Sequence, residues 1–375
     1  MYFVIGADVV PTKSNLKLFS SGDANALVGE ELLNILNNSS YRIFNLEVPL
    51  TNDSQPIKKQ GPNLIAPTDT VEGYKSLSAD LLTLANNHIM DQGESGLLST
   101  IQTLDKAKID HVGAGKNLQE AYQPFIFDFA GRKIGVYACA EHEFSIAETD
   151  KPGANPFDPL WSLDHVEDLR ENVDFLIVLY HGGKEHYRYP SPNLQKTCRR
   201  LVDKGANLVV CQHSHCIGCE EKYKQSTIVY GQGNFIFDDS NNECWQTSLL
   251  LKVEDDLTIS FLPLVKAENG VRLADNETGK RILDQFYSRS EKILDQKFVE
   301  REFDRFAVSS RETYHGAFSG KRSISQRTMN KLTKGKYYSY LYQKEYDERE
   351  KNRIINYVEC EAHRELLIRG LKTKD

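Results

Sequence analysis

No stretch of this chain approaches the roughly 18 consecutive apolar residues that a membrane-spanning helix needs, so a membrane span is not expected. The opening residues Met1 to Gly6 have neither a charged n-region nor a long apolar core. They read as a first strand and not as a secretory signal. The chain also lacks a basic excess: 46 Lys+Arg against 53 Asp+Glu leave a net charge of -7. That is the wrong sign for a general nucleic-acid surface, so no nucleic acid is expected as a partner. Cysteine is too sparse and unevenly counted for a disulfide framework. Seven thiols in 375 residues fit a reducing cytoplasm better. What remains is an ordinary globular composition, 40% apolar and 26% charged, long enough for a full α/β domain plus an extension.

What the sequence does have is a repeated pattern of apolar runs that stop abruptly on polar, ligand-type residues. Residues 208–210 lead through Cys211 and Gln212 into His213-Ser214-His215. The same pattern recurs upstream. Residues 2–5 lead to Asp8, residues 41–46 to Glu47, and residues 80–85 to Asn86-Asn87-His88 with Asp91 close behind. Residues 174–180 lead to His181-Gly182-Gly183-Lys184-Glu185-His186, and the glycine-punctuated run 230–237 carries Asn234. Short β-branched and aromatic runs of this kind predict buried strands. Helical periodicity over 26–36, 96–108 and 193–204 separates several of them, so an α/β fold is expected. In open α/β sheets the carboxyl ends of the strands are where ligands bind.

The residue types delivered there suit a metal. Neutral imidazole is the commonest protein ligand for Zn, Fe, Mn or Ni. An asparagine oxygen such as that of Asn87 can complete the site, and a histidine beside it, His88, can serve as general acid. Taken one at a time, Asp8 and Glu47 read better as caps or turn residues than as ligands. The loop 51–67 brings Lys59 and Gln60, either as a solvated patch or as a contact for a phosphate or carboxylate. Glu141 and Glu143 flank His142 and could supply a base that supports the site or contact substrate; a solvated turn is the other reading. The loop 151–159 reads as a rim or lid. Cys211, Cys216 and Cys219 surround the histidine pair; three thiols near two imidazoles could hold zinc, but packing as small hydrophobes is favoured.

Beyond residue 265 charge becomes dense. Helical runs are expected over 280–304 and 339–371, with a basic stretch from Lys321 to Lys336 between them. No residue there has metal-ligand spacing, so 266–375 is expected to be a charged helical extension that packs on the domain or on a partner protein.

In their order, Asp8, Asn45-Leu46-Glu47, Leu84 to His88 with Asp91 and Gly93, His181-Gly182-Gly183 with Glu185, Gln212 to His215, and Gly233-Asn234-Phe235 resemble the bacterial CapA family. That family is named for capsule and poly-gamma-glutamate biosynthesis, and its fold is similar to the calcineurin-like metallophosphoesterases. The resemblance covers residues 1–265 and implies a four-layer α/β/β/α sandwich with a helical extension after it. It implies one or two divalent ions (Mn, Zn, Fe or Mg), with Asn87, His181 and His213 on one and Asp8 and His215 on the other. Glu47 stands at the bridging position, and His88 at the position of the acid that protonates the leaving group. The chain departs from the superfamily at Val10, where Asp-x-His is usual, and in having glutamate in place of aspartate at 47.

With such a site a metal-activated water attacks, His88 acts with Asp91 and Glu185, and an anionic substrate meets Lys59, Gln60, Glu141, Lys184, His186 and Asn234. A phosphoester, or an amide or γ-glutamyl bond, would suit, on a small molecule or a polymer precursor. Two readings stay open: a metal-dependent hydrolase, or a non-catalytic assembly factor of a capsule or polyglutamate synthase that keeps the fold with part of the site lost.

Overall fold

A computed structural model describes residues 1–238, 240–318 and 322–372, so Lys321 lies outside the described residues. Its strands form two large sheets. In the first, the order is Gly270–Leu273, Ile259–Ala267, Thr247–Glu254, Tyr2–Val9, Arg42–Leu46, Leu81–Thr83 and Asp110–Val112, with Asn234–Ile236 also paired to Tyr2–Val9. In the second it is Glu220–Tyr223, Ser226–Val229, Leu208–Gln212, Phe175–His181, Arg132–Ala140 and Phe125–Phe129.

Side-chain alternation explains how the layers stack. Along Phe175–His181, Ile177 and Leu179 point into the core shared with Phe3, Ile5 and Val210, between the sheets. Leu176, Val178 and Tyr180 point the other way, into a second core with Val166, Leu169 and Leu201. Those last three come from helices Ser162–Arg170 and Pro192–Asp203. A strand buried on both faces reads as an unbroken apolar run, which is why these segments were legible. Leu27, Leu32 and Leu36 of helix Ala24–Asn38, with Leu97 and Leu104 of Gly93–Ala107, are fully buried with the first sheet. The result is the expected four-layer α/β/β/α sandwich. Phe3 ties its two sheets together through edge contacts with Phe127 and Phe129, at 5.6 and 4.9 Å between ring centres.

Parallel pairing puts the chemistry at one edge of each sheet. Tyr2–Val9, Arg42–Leu46 and Leu81–Thr83 run parallel, and so do Arg132–Ala140, Phe175–His181 and Leu208–Gln212. Their carboxyl ends therefore open on the same side. Gly6 sits just below that edge, and a methyl group there would stand 2.4 Å from Cδ1 of the buried Phe44 ring. Gly6→Ala is expected to lower stability by about 1–3 kcal/mol, as overpacking does, read as a fall in urea midpoint at unchanged m-value.

Four expectations change at this level. The first strand runs through Asp8 to Val9, so Asp8 is held within the ladder opposite Asn45 and Asn234. The segment 151–159 is a fixed support and not a lid: Asn155 donates to Gly113 O and Ala138 O, and Gly153–Ala154 pairs with Ala114–Gly115. The long C-terminal helical runs are broken by caps. Asp295 accepts from Lys297 N ahead of helix Gln296–Ser309. Asp347 and Glu350 form a reciprocal capping box that starts helix Glu348–Glu359. Finally, the compact units are Met1–Glu300 and Arg301–Asp375, so the division falls beyond residue 265. Helix Asn276–Lys292 buries Ile282 and Phe286, the latter 4.8 Å from the Phe261 ring, and so belongs to the first unit.

The second unit contains helices Arg311–Phe318, Ile324–Leu332, Lys336–Glu345, Glu348–Glu359 and Glu361–Lys372. Within it His315 stacks on Tyr342 at 4.1 Å. Among the described residues no helix is long and apolar enough to cross a membrane.

Candidate metal centre

The strand ends of the two sheets meet around His181, the last residue of Phe175–His181 and nearly fully buried. Its Nε2 lies 3.0 Å from Asn87 Oδ1, 3.1 Å from His213 Nδ1 and 3.2 Å from Glu47 Oε1. One ring nitrogen carries at most one proton, and the Asn87 and Glu47 oxygens can only accept, so it can satisfy one of these two and not both. Both oxygens of Glu47 are buried with no hydrogen-bond partner, the 3.2 Å approach of His181 being poorly aligned for one. Buried carboxylates without donors are costly unless a cation accompanies them.

The other half of the cluster is built on Asp8 and His215. His215 Nδ1 lies 3.4 Å from Asp8 Oδ2 and 2.8 Å from Asn234 Oδ1. Asp8 Oδ2 has no hydrogen-bond partner, and neither has Asn234 Nδ2. Ligand atoms of Glu47, His213 and His215 all lie within 4.8 Å of one another. Both histidines sit in left-handed backbone, with φ of 83° and 51°. That conformation costs a non-glycine residue on the order of 1 kcal/mol, and it tends to persist where a site requires it.

The electrostatics divide the donor set: His213 is held neutral, while His215 holds a proton that a bound cation would displace. Burial, then the nearby His181 and His215, push His213 well below the usual imidazole range, which leaves its lone pair available. Burial also disfavours a charged His215, but Glu47, Asp8 and Asn234 outweigh it and raise the group to about 9. Burial would raise the Asp8 carboxyl. The close approach of the His215 ring, with the imidazole of His181 and the Asn45 amide, holds it below its ordinary value. Two buried carboxylates, Asp8 and Glu47, thus face a pocket of imidazoles and an amide oxygen, a donor set that fits a divalent ion. The thiols of Cys211, Cys216 and Cys219 are buried, and among the described residues no cysteine joins the donor group.

Beside the cluster, His88 Nδ1 bonds Asp91 Oδ2 at 2.6 Å, and Asp91 also accepts from Leu64 N at 2.6 Å. Asp91 is fully buried and cannot meet substrate; it orients His88. Lys59 corrects an expectation. Its side chain is 2% exposed, forms an ion pair with Asp91 and reaches His88 Nδ1 at 3.2 Å. It is consumed inside the protein and is not offered to an anion.

The remaining expected contacts divide. Asn234 joins the cluster through His215. Glu141 is turned away from any substrate space: its Oε1 accepts from Gly183 N at 3.1 Å, and burial pushes its carboxyl up. Lys184 is exposed, and Glu185 stands partly exposed beside His186. His186 accepts from Trp245 Nε1 at 2.9 Å, with its ring 6.4 Å from that of His215. Gln60 is exposed and touches none of the cluster.

The roles of Asn45 and Asn86 were missed, and Glu143 takes the supporting role that the sequence left open between two glutamates. Asn45 donates to Asp8 Oδ1 at 2.7 Å and touches His181 Nδ1 at 3.3 Å, while its oxygen accepts from Thr83 and Asn86. The strand register that pairs Asp8 with Asn45 is the signal, and it is not visible in the sequence. Asn86 also donates to Leu46 O. Glu143, and not Glu141, accepts from Asn87 Nδ2 at 2.9 Å and so aims the Asn87 oxygen at His181. At Val10 the side chain is 2% exposed in the core between the sheets, so no imidazole completes the Asp8 side of the cluster.

Residues 6–239 match the family model described as bacterial capsule synthesis protein PGA_cap. The chain belongs to this family. It is 32% identical over 212 residues to capsule biosynthesis protein CapA of Bacillus anthracis, across 54% of this chain and 52% of that protein. It is 29% identical over 210 residues to PGA biosynthesis protein CapA of Bacillus subtilis, across 53% and 54%. The chain thus spans about half the length of the curated relatives it matches. A crystal structure described as a novel phosphatase from Mycoplasma pneumoniae aligns at a TM-score of 0.45 and 13% identity, covering 72% of this chain and 94% of that one. The residues of the cluster, Asp8 to Asn234, fall inside the matched segment.

Proposed function

We propose that this PGA_cap protein is a metal-dependent hydrolase acting on an anionic precursor in capsule or polyglutamate biosynthesis. The observation that carries the reading is the crowding of Asn87, His213 and Glu47 around His181 Nε2 at 3.0–3.2 Å. Acceptor-type atoms gather this closely around a cation and repel one another without one.

Asn87, His181 and His213 would hold one ion and Asp8 and His215 a second, with Glu47 close to both groups of donors. A divalent ion supplies Lewis acidity, activating water and drawing charge from a phosphoryl or carbonyl oxygen. The chain's own residues do the rest. His88, oriented by Asp91, donates a proton to the leaving oxygen or nitrogen. Glu143 and Asn45 keep Asn87, Asp8 and His181 aligned. Lys184 and His186 stand on the rim, where an anion would enter. Val10 leaves the Asp8 side with fewer donors than the His181 side, so a second ion would be held more weakly there.

The test is a panel of phosphomonoesters, phosphodiesters and γ-glutamyl anilides, assayed on protein reconstituted with Mn or Zn. Turnover that needs the metal and stops with a chelator is expected. A metal-loaded protein inert across the panel would overturn the hydrolase reading in favour of an assembly factor that keeps the fold.

A further inference from the structure

A groove of about 590 Å³ runs along helix Asn276–Lys292, and its lining shares no residue with the donor cluster. Lys280, Arg281 and Lys292 line it from the helix; they are exposed and have no ion pair among the described residues. Arg188 and Arg289 form its inner end, anchored on successive carbonyls of the loop that follows His215. Arg188 Nη1 donates to Ile217 O at 2.9 Å and Arg289 Nε to Gly218 O at 2.7 Å. Arg188 is paired with the exposed Glu243, but Arg289 has no carboxylate partner among the described residues. Burial, then the Arg188 guanidinium, push Arg289 below its ordinary value. Two guanidinia brought together in this way favour an anion between them.

The shape and the mixed polarity narrow the class of anion. Lys280 to Lys292 span twelve helical residues, about 18 Å at 1.5 Å per residue, or about five residues of an extended amide chain. Glu277 and Asp284 interrupt the cations on the same face. They would repel a continuous phosphate backbone but can accept hydrogen bonds from amide N–H groups. Tyr189 is the one aromatic residue lining the groove, so it offers no stacking platform for bases.

We propose that this groove binds a linear polycarboxylate whose units are joined by amide bonds. Binding in the groove does not rest on the hydrolase reading.

The experiment is fluorescence anisotropy with a short fluorescein-labelled poly-γ-glutamate at low salt, on the full chain. The double variant Lys280→Glu/Arg281→Glu is expected to weaken binding about tenfold, as loss of charge contacts to a polyanion does. His213→Ala should bind like the wild type. Melting curves check folding, and Lys292→Glu alone repeats the test should the double variant unfold. Unchanged affinity in the folded groove variants overturns the proposal. So does binding lost in His213→Ala, which would put the polymer at the metal cluster only. Single-stranded DNA competing as well as polyglutamate would also overturn it, leaving a general polyanion surface. A protein that binds polymer yet shows no turnover would refute the hydrolase and leave the groove standing.

Discussion

His213→Ala is expected to empty the donor cluster. Elemental analysis of wild-type protein purified without added metal should find about one or two equivalents of a transition metal, and the variant should lose most of it. His213 is placed to matter because it faces both halves of the cluster. Its Nδ1 is 3.1 Å from His181 Nε2, and its ring is 6.0 Å from that of His215. Where metal-supplied charge stabilisation is worth several kcal/mol, its loss lowers turnover on the order of 10³-fold. A second readout does not depend on finding the substrate. Because Glu47 and Asp8 carry buried oxygens without partners, an ion that binds only the folded chain raises its stability by about 2.7 kcal/mol at a hundred times its dissociation constant. Added Mn or Zn should therefore raise the melting temperature of wild-type protein and leave His213→Ala nearly unmoved. If neither protein holds metal after reconstitution and neither melting curve shifts, the metal reading fails and the assembly-factor reading takes its place.

Part of the donor set was legible because it ends apolar runs. Asn87, His181, His213 and His215 close or follow strands whose two buried faces write unbroken hydrophobic stretches. Asp8, inside its strand, and Glu47 stood out as donors only through the family resemblance. What was not legible depends on pairing between strands. Nothing local distinguishes Asn45 from a turn former, and only its place beside Asp8 in the ladder gives it a task. The choice between Glu141 and Glu143 depends on which way a short turn faces: Glu141 turns to Gly183 N, Glu143 to Asn87. The C-terminal division was misplaced for a different reason. Charge density rises near residue 266, but Ile282 and Phe286 at helical spacing still bury against the first unit. Composition marks the exposed face of that helix, and packing is decided by the other face.

Lys59 is the instructive correction, and its replacement carries the largest expected effect on stability. In sequence it lies in the basic loop sequence Lys58-Lys59-Gln60, the setting of a surface anion contact. In the structure its neighbours Lys58 and Gln60 are exposed, whereas its own side chain is 2% exposed against a fully buried Asp91. The ammonium also lies 5.5 Å from the centre of the Phe144 ring, which adds a modest cation–π attraction. Removing one member of a buried pair leaves the other charge uncompensated, at a cost of about 3–5 kcal/mol. Asp91 keeps the amide of Leu64 and His88 as partners, so Lys59→Met should fall near the lower end of that range. Lys59→Met/Asp91→Asn removes both charges and should recover much of the loss, because replacing both partners avoids the unpaired group. Urea denaturation of the two single variants and the double variant measures this directly as a cycle. A substrate-contacting lysine would give a different pattern: wild-type stability in Lys59→Met, a raised KM and no coupling to Asp91. Strong coupling in stability instead assigns Lys59 to the fixed frame around His88. The anion-binding duty then passes to exposed cations such as Lys184.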